Sequence, residues 1–186
     1  MNLYLIRHGQ TNWDLLDQKG VVGMAASAAP LTELGRLQIE TIAKDYRLAD
    51  AEIILSSSYA RALESAAILS RVLDKPLLVE YDLHEWLPQT DPLQAVDEEL
   101  LLKASEEFIH ETDSDVPWEK FSQVRSRVLS VLERYNKYKS IVVVTHAVVI
   151  SSLLGAKKPV DNAEIVAIEL ELGSAKRPIP KNPTLV

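Results

Sequence analysis

Cysteine is absent from the chain of 186 residues. A disulfide framework, a thiolate metal centre and a cysteine nucleophile are therefore excluded. Long apolar runs are also missing: none reaches the ~18 residues that a membrane span needs. The start of the chain goes straight into a strand-like run, without the charged and apolar regions of a secretory leader. Both absences lead us to expect a cytoplasmic protein with no membrane contact. Cations are the minority charge, 20 Lys and Arg against 27 Asp and Glu, for a net charge of −7. That balance argues against nucleic acid as the main partner. An anionic ligand would need a local cationic pocket working against the overall field. There is no P-loop, GxGxxG or HExxH-like spacing, no internal repeat and no low-complexity tract.

What is present is ordinary globular material. Hydrophobic residues make up 47% and charged residues 25%. A chain of this length buries roughly 70% of its unfolded surface, enough for a core without staples. We expect one domain over 1–173, an insertion at about 82–117, and a Pro-rich basic tail over 174–186. The tail has three prolines and three cations and could cross a contact between two copies, so a homodimer is an open expectation.

The first strand is expected at Leu3 to Ile6, with Gly9 marking the turn out of it. Asn12 to Ala29 reads as a long irregular loop whose patch Val21 to Ala26 suits either core or a rim. A helix opens at Pro30-Leu31-Thr32, with Thr32 as N-cap and Leu34, Leu37, Ile42 and Tyr46 as its inward stripe. Glu52 to Leu55 is a second strand, Ser56 to Ser58 a turn and cap. Tyr59 to Leu73 is a helix with Ala62, Ala66, Leu69 and Leu73 inward and Arg61 in its first turn. Leu77 to Val79 is a third strand. An acidic helix from about Leu93 to Ile109, with Leu93, Val96, Leu100 and Leu101 on one face, reads as a solvated face or a cap. Trp118 to Lys139 is amphipathic, with Phe121, Val124, Val128, Leu132 and Tyr135 inward. Ile141 to Thr145 is a buried strand, Val148 to Leu154 a helix, and Ile165 to Leu172 a more exposed strand. Strands alternating with helices predict a three-layer α/β/α sandwich on a mostly parallel sheet.

Three of these strands lead into polar groups: Arg7-His8 after the first, Arg61 beyond the second, and His146 after Thr145. Parallel strands place their carboxyl ends on one edge, so the four side chains can converge. Two arginines and two histidines make an anion pocket, and the planar guanidinium fork suits phosphate. A single His or Arg at a strand end is more often structural; a metal site from His8, His84 and His146 lacks a supporting spacing. His84 and His110 read as surface residues.

Arg7-His8-Gly9-Gln10-Thr11 resembles the RHG(E/Q)(S/T) signature of the histidine phosphatase, or phosphoglycerate-mutase-like, superfamily. Further segments match in order. Pro30-Leu31-Thr32 to Gln38 is similar to PLTxxGxxQ, and Ser56-Ser57 with Arg61-Ala62 to SSPLxRA. Leu83-His84-Glu85 is similar to LxE, and Thr145-His146 to (S/T)HG. The resemblance implies His8 as phosphoryl-accepting nucleophile, Glu85 as proton donor and His146 as a catalytic partner. It implies Arg7, Arg61 and His146 on the phosphate oxygens, with Thr11, Gln10 and Ala147 beside them. No cofactor or metal is implied. The physics agrees: phosphoryl transfer needs charge stabilisation and in-line positioning. A neutral His8 can attack, and a cationic His146 would favour the charged transition state. Burial beside Trp86 would raise Glu85 into the acid's range.

Three positions depart from the pattern. Asp14 stands where many relatives have Asn, Ser58 replaces a proline, and Ala147 replaces a glycine. A carboxylate near phosphate repels it, so Asp14 is expected to lower phosphate affinity. Phosphatase and mutase share such a site. A mutase must hold a second anion, yet Pro88 to Val116 offers one cation, Lys103, and the loop after Thr11 only Lys19 before Arg36. We therefore expect hydrolysis of a small phosphate monoester through a phosphohistidine. Phosphoglycerate-mutase-type transfer, a protein-phosphohistidine phosphatase and a non-catalytic phospho-ligand module remain alternatives.

Overall fold

The computed structural model describes residues 1–87, 118–155 and 160–171, with isolated positions between 88 and 117. The expected cap helix and the 174–186 tail lie outside the described residues, apart from those isolated positions. Of the cap helix's apolar face, Leu93 is described, and it is exposed.

Five strands form one sheet: β1 (Asn2–Arg7), β2 (Ile53–Ser57), β3 (Leu77–Glu80), β4 (Ser140–Thr145) and β5 (Ile165–Glu169). Their spatial order is β3-β2-β4-β1-β5. The pairs β1–β4, β4–β2 and β2–β3 are parallel, and β5 runs antiparallel on the outer side of β1. The helices are α1 (Trp13–Gln18), α2 (Glu33–Ile42), α3 (Ala60–Leu73), α4 (Phe121–Arg134) and α5 (Ala147–Leu154). Among the described residues no helix is long and apolar enough to cross a membrane.

Strand alternation builds two cores. Leu3, Leu5, Leu55, Ile141 and Val143 face Val128 and Leu132 of α4 and Ile150 of α5. Ile6, Ile54, Val142 and Val144 face the opposite way, onto Ile39 of α2 and Ala66 and Leu69 of α3. The expected three-layer sandwich follows from this two-sided burial. All of β2 and β4 is buried, as central strands covered on both faces must be.

Several local expectations change. The segment after Thr11 is not irregular throughout: it forms α1, whose N-cap Asn12 accepts from Leu15 N–H, then a 3-10 turn at Gly23–Ala28. No residue of that turn is buried. Thr32 does cap α2, accepting from Gly35 N–H at 2.9 Å. The inward face of α2 is Gly35 and Ile39, however, while Leu34, Leu37 and Tyr46 are exposed. Contact with the first loop sets that phase. A Cβ at Gly35 would lie 2.3 Å from Gln10 O, and one at Gly9 would lie 2.4 Å from Gly35 O. Two backbones touch there, and the helix must turn Gly35 toward the loop. Ser56 and Ser57 continue β2 rather than capping, and α3 begins after Tyr59 without a side-chain cap. In α4, Phe121 and Tyr135 are half-buried, and Val131 joins the buried face.

Candidate active site

The β1–β4 register pairs Arg7 with Thr145. The next residues on each strand, His8 and His146, therefore emerge side by side at the carboxyl edge of the sheet. Their rings meet edge to face with centroids 5.1 Å apart. α3 brings Arg61 to the same place, and its Nε donates to His8 Nε2 at 3.2 Å.

His8 is 5% exposed and lines a cleft of about 580 Å³. Its Nδ1 lies 2.8 Å from Gly9 O. A carbonyl only accepts, so Nδ1 carries the proton and Nε2 keeps its lone pair. Burial pushes the ring's pKa down to about 3; the Gly9 carbonyl opposes this and Arg61 and Arg7 reinforce it. His8 is thus neutral with one defined nucleophilic nitrogen. Thr11 Oγ1 stands 3.5 Å from Nδ1.

Arg7 is anchored by Nη1 donating to Val160 O at 2.6 Å, while its Nε is buried without a partner among the described residues. The Arg61 guanidinium sits 5.2 Å from the Trp13 ring centre and 5.0 Å from that of Tyr59. Burial lowers its pKa from the ordinary arginine value, with Glu85 and Tyr59 opposing and Arg7 reinforcing. Ser65 ties α3 to the loop: its Oγ donates to Arg61 O and accepts from Gly9 N–H.

Gln10 holds the loop against α2. Its backbone N–H donates to Gln38 Oε1, and Thr32 Oγ1 donates to its Oε1 at 2.8 Å. Thr32 N–H donates to Gln10 O. The PLTELGRLQ stretch is thus a brace for the histidine loop.

Glu85 lines the cleft and is half-buried. Trp86 N–H donates to its Oε1 at 2.9 Å, and Val148 N–H also reaches its carboxylate. Burial raises its pKa; those two N–H groups, Arg61 and Arg7 pull against the rise. The Glu85 backbone is clamped by Arg127 of α4. That guanidinium donates to the carbonyls of Asp82 and Glu85 and pairs with Glu119 at 2.6 Å.

His146 and Ala147 are not among the residues that line this cleft. His146 is fully buried, with Nε2 2.8 Å from Ser57 Oγ and Nδ1 without a partner among the described residues. Burial, then Arg61, His8, His84 and Arg127, hold its pKa well below the ordinary value. The expected cationic His146 is therefore neutral in the free pocket. His84, expected at the surface, is buried between Tyr59 and Tyr81. The 3-10 turn Tyr81–Leu83 directs it inward, where Nδ1 donates to Glu85 O. His110 is exposed. Among the described residues no group of three His, Asp or Glu is arranged to hold a metal ion.

Sequence reasoning missed Asn162. It lines the cleft, and its Nδ2 donates to His8 O at 3.0 Å. Ala163 N–H donates to the carbonyls of Arg7 and His8, with Ala163 in the left-handed region at φ 58°. The signal was a turn-forming Asp-Asn pair before the last strand. Its meaning required knowing that β5 is antiparallel, which returns its start to the edge where β1 ends. Trp13, Asn12 and Thr32 also line the cleft without having been singled out as site residues.

Fold and site together define an α/β protein with an anion pocket at the carboxyl edge of a mainly parallel sheet. Residues 3–177 match the histidine phosphatase superfamily (branch 1), and the chain belongs to that superfamily. A probable phosphoglycerate mutase, GpmB, of Proteus mirabilis (strain HI4320) is 31% identical over 88 residues. That match spans 45% of this chain and 39% of the mutase. Among solved structures, YhfR of Bacillus stearothermophilus superposes with a TM-score of 0.72 at 23% identity, covering 97% of this chain and 96% of that one. The alpha-ribazole phosphatase of Shigella flexneri gives 0.69 at 23% identity, covering 100% and 95%. A mycobacterial glucosyl-3-phosphoglycerate phosphatase gives 0.69 at 20% identity, covering 90% and 92%.

Proposed function

We propose that the protein is a phosphomonoester hydrolase acting on a small phosphorylated metabolite through a phosphohistidine on His8. The observation that carries this is His8 itself: neutral, with Nδ1 fixed by Gly9 O and Nε2 facing the pocket beside Arg61. Arg7 lines the cleft, and its buried Nε has no partner among the described residues. A buried polar atom is rarely left so, and a phosphate oxygen would satisfy it. The superfamily match and the phosphatase relatives support the same reading.

In the first step His8 Nε2 attacks phosphorus and an N–P bond forms as the ester O–P bond breaks. Arg7 and Arg61 stabilise the charge on the equatorial oxygens. Glu85, whose acid form is favoured by burial, gives its proton to the leaving oxygen. In the second step the Glu85 carboxylate takes a proton from water as its oxygen attacks phosphorus. The N–P bond breaks, and inorganic phosphate and the His8 lone pair are restored. Each charge-handling role falls to a side chain of this protein, so the reaction proceeds without metal.

Hydrolysis is favoured over mutase transfer because the cations lining the described cleft are Arg7 and Arg61, both beside His8. The test is phosphate release from p-nitrophenyl phosphate with and without chelator, in the parent and in His8→Ala. We expect chelator-resistant release that disappears in the variant. Loss with chelator, or retention in His8→Ala, would overturn the mechanism.

A further inference from the structure

With Arg7, Arg61 and His8 on the phosphate, the outer wall of the described cleft is left to meet the ester's alcohol portion. That wall is made by the first turn of α1 together with Gln10, Thr32 and Asn162. Trp13 rests its ring against the Arg61 guanidinium, so this turn borders the phosphate end of the cleft. Asn12 caps it through Leu15 N–H and fixes its pitch. The next side chain, Asp14, lines the cleft and is exposed. Every other described residue of the outer wall is uncharged. Glu85, the second acid of the cleft, is held by Trp86 and Val148 N–H groups beside Arg61. Among the described residues no cation pairs with Asp14, so its carboxyl group faces whatever the phosphate carries.

We propose that Asp14 selects substrates by the charge of the alcohol portion. It favours phosphate esters bearing a cationic or hydrogen-bond-donating group near the phosphate and rejects those bearing a second anion. The inference rests on the hydrolase reading for turnover, but not for binding. A carboxylate attracts an ammonium and repels a carboxylate at the same place, so the two ends of a charge series move apart. The phosphate pays the same repulsion in every ester, and it cancels from the ratio.

The test uses three esters of equal length: 2-aminoethyl phosphate, 2-hydroxyethyl phosphate and phosphoglycolate. kcat/KM is measured for the parent and for Asp14→Asn. The parent should prefer them in that order. In Asp14→Asn the ratio of aminoethyl ester to phosphoglycolate should fall about tenfold or more. In parallel, calorimetry on His8→Ala and on His8→Ala with Asp14→Asn measures binding of the same esters without turnover. The Kd ratio should shift in the same direction. A ratio unchanged within about twofold in either assay overturns the role of Asp14. If none of the esters is hydrolysed by the parent, the binding ratio alone decides it, and what fails is the hydrolase reading. If none binds either, both fall.

Discussion

Arg61 Nε donates a hydrogen bond to His8 Nε2, so a guanidinium rests on the lone pair that is to attack phosphorus. The contact keeps Nε2 unprotonated and fixes the ring from its outer side, as Gly9 O fixes it from the inner side. An incoming phosphate must exchange places with that lone pair as Arg61's partner. Tyr59 and Trp13 flank the guanidinium and limit how far it can travel.

Arg61→Lys keeps the charge but loses the fork and the Nε donor. We expect kcat/KM on p-nitrophenyl phosphate to fall by roughly 10²–10³, the scale of losing one transition-state donor. Circular dichroism should show the fold retained. A loss under about threefold would mean that Arg61 does not bear on the transition state.

Glu85 is the proposed proton donor to the leaving oxygen. Glu85→Gln keeps the shape and removes the proton. An alkyl phosphate, whose leaving group is poor, should lose about 10²–10⁴ in kcat, and p-nitrophenyl phosphate far less. In the parent, alkyl-ester kcat/KM should fall on the alkaline side as Glu85 ionises, at a pH raised by its burial. Equal losses on both substrates would remove Glu85 as the acid.

Stability should decline in mild acid. His8 titrates at about 3 when folded and near 6.5 when unfolded. Between those values the unfolded chain binds the extra proton, so stability is lost as pH falls through that window. Each such group contributes ~1.4 kcal/mol per pH unit well below 6.5. His84 and His146 are shifted in the same direction. Tm should therefore drop from pH 7 to pH 5, with a shallower slope in His8→Asn. A flat Tm across that range would contradict the neutral, buried histidines.

The Gly9–Gly35 contact should tolerate no side chain. Gly35→Ala places a methyl 2.3 Å from Gln10 O, backbone that cannot step aside. Overpacking of this kind costs about 1–3 kcal/mol, and here it also displaces the loop carrying His8. Urea unfolding and kcat/KM should both worsen. Full activity at parental stability would mean that the helix is free to shift.

The layers, the strand ends and most of the pocket are legible in the sequence, because they rest on periodicity and ordered motifs. Ile6 and Leu5 must face opposite ways in any strand, and Arg61 must fall in the first turn of its helix. The phase of α2 could not be read in the same way. Leu34 and Leu37 look like a core stripe until Gly35 is seen pressed against Gln10. The state of His146 was equally hidden: its charge depends on full burial next to His8 and Arg61, a property of packing rather than of the Thr145-His146 motif. Asn162 needed the direction of β5. What escaped the sequence was in each case set by contacts between segments far apart in the chain.

The central claim is that His8 carries the phosphoryl group. The direct measurement is to mix the protein with a labelled phosphomonoester, quench in alkaline detergent within the first turnover, and map the label by peptide mass. The account predicts an acid-labile, alkali-stable phosphoryl group on the peptide containing His8, absent from His8→Ala. Turnover with no trapped label at His8, or label on another residue, would contradict it.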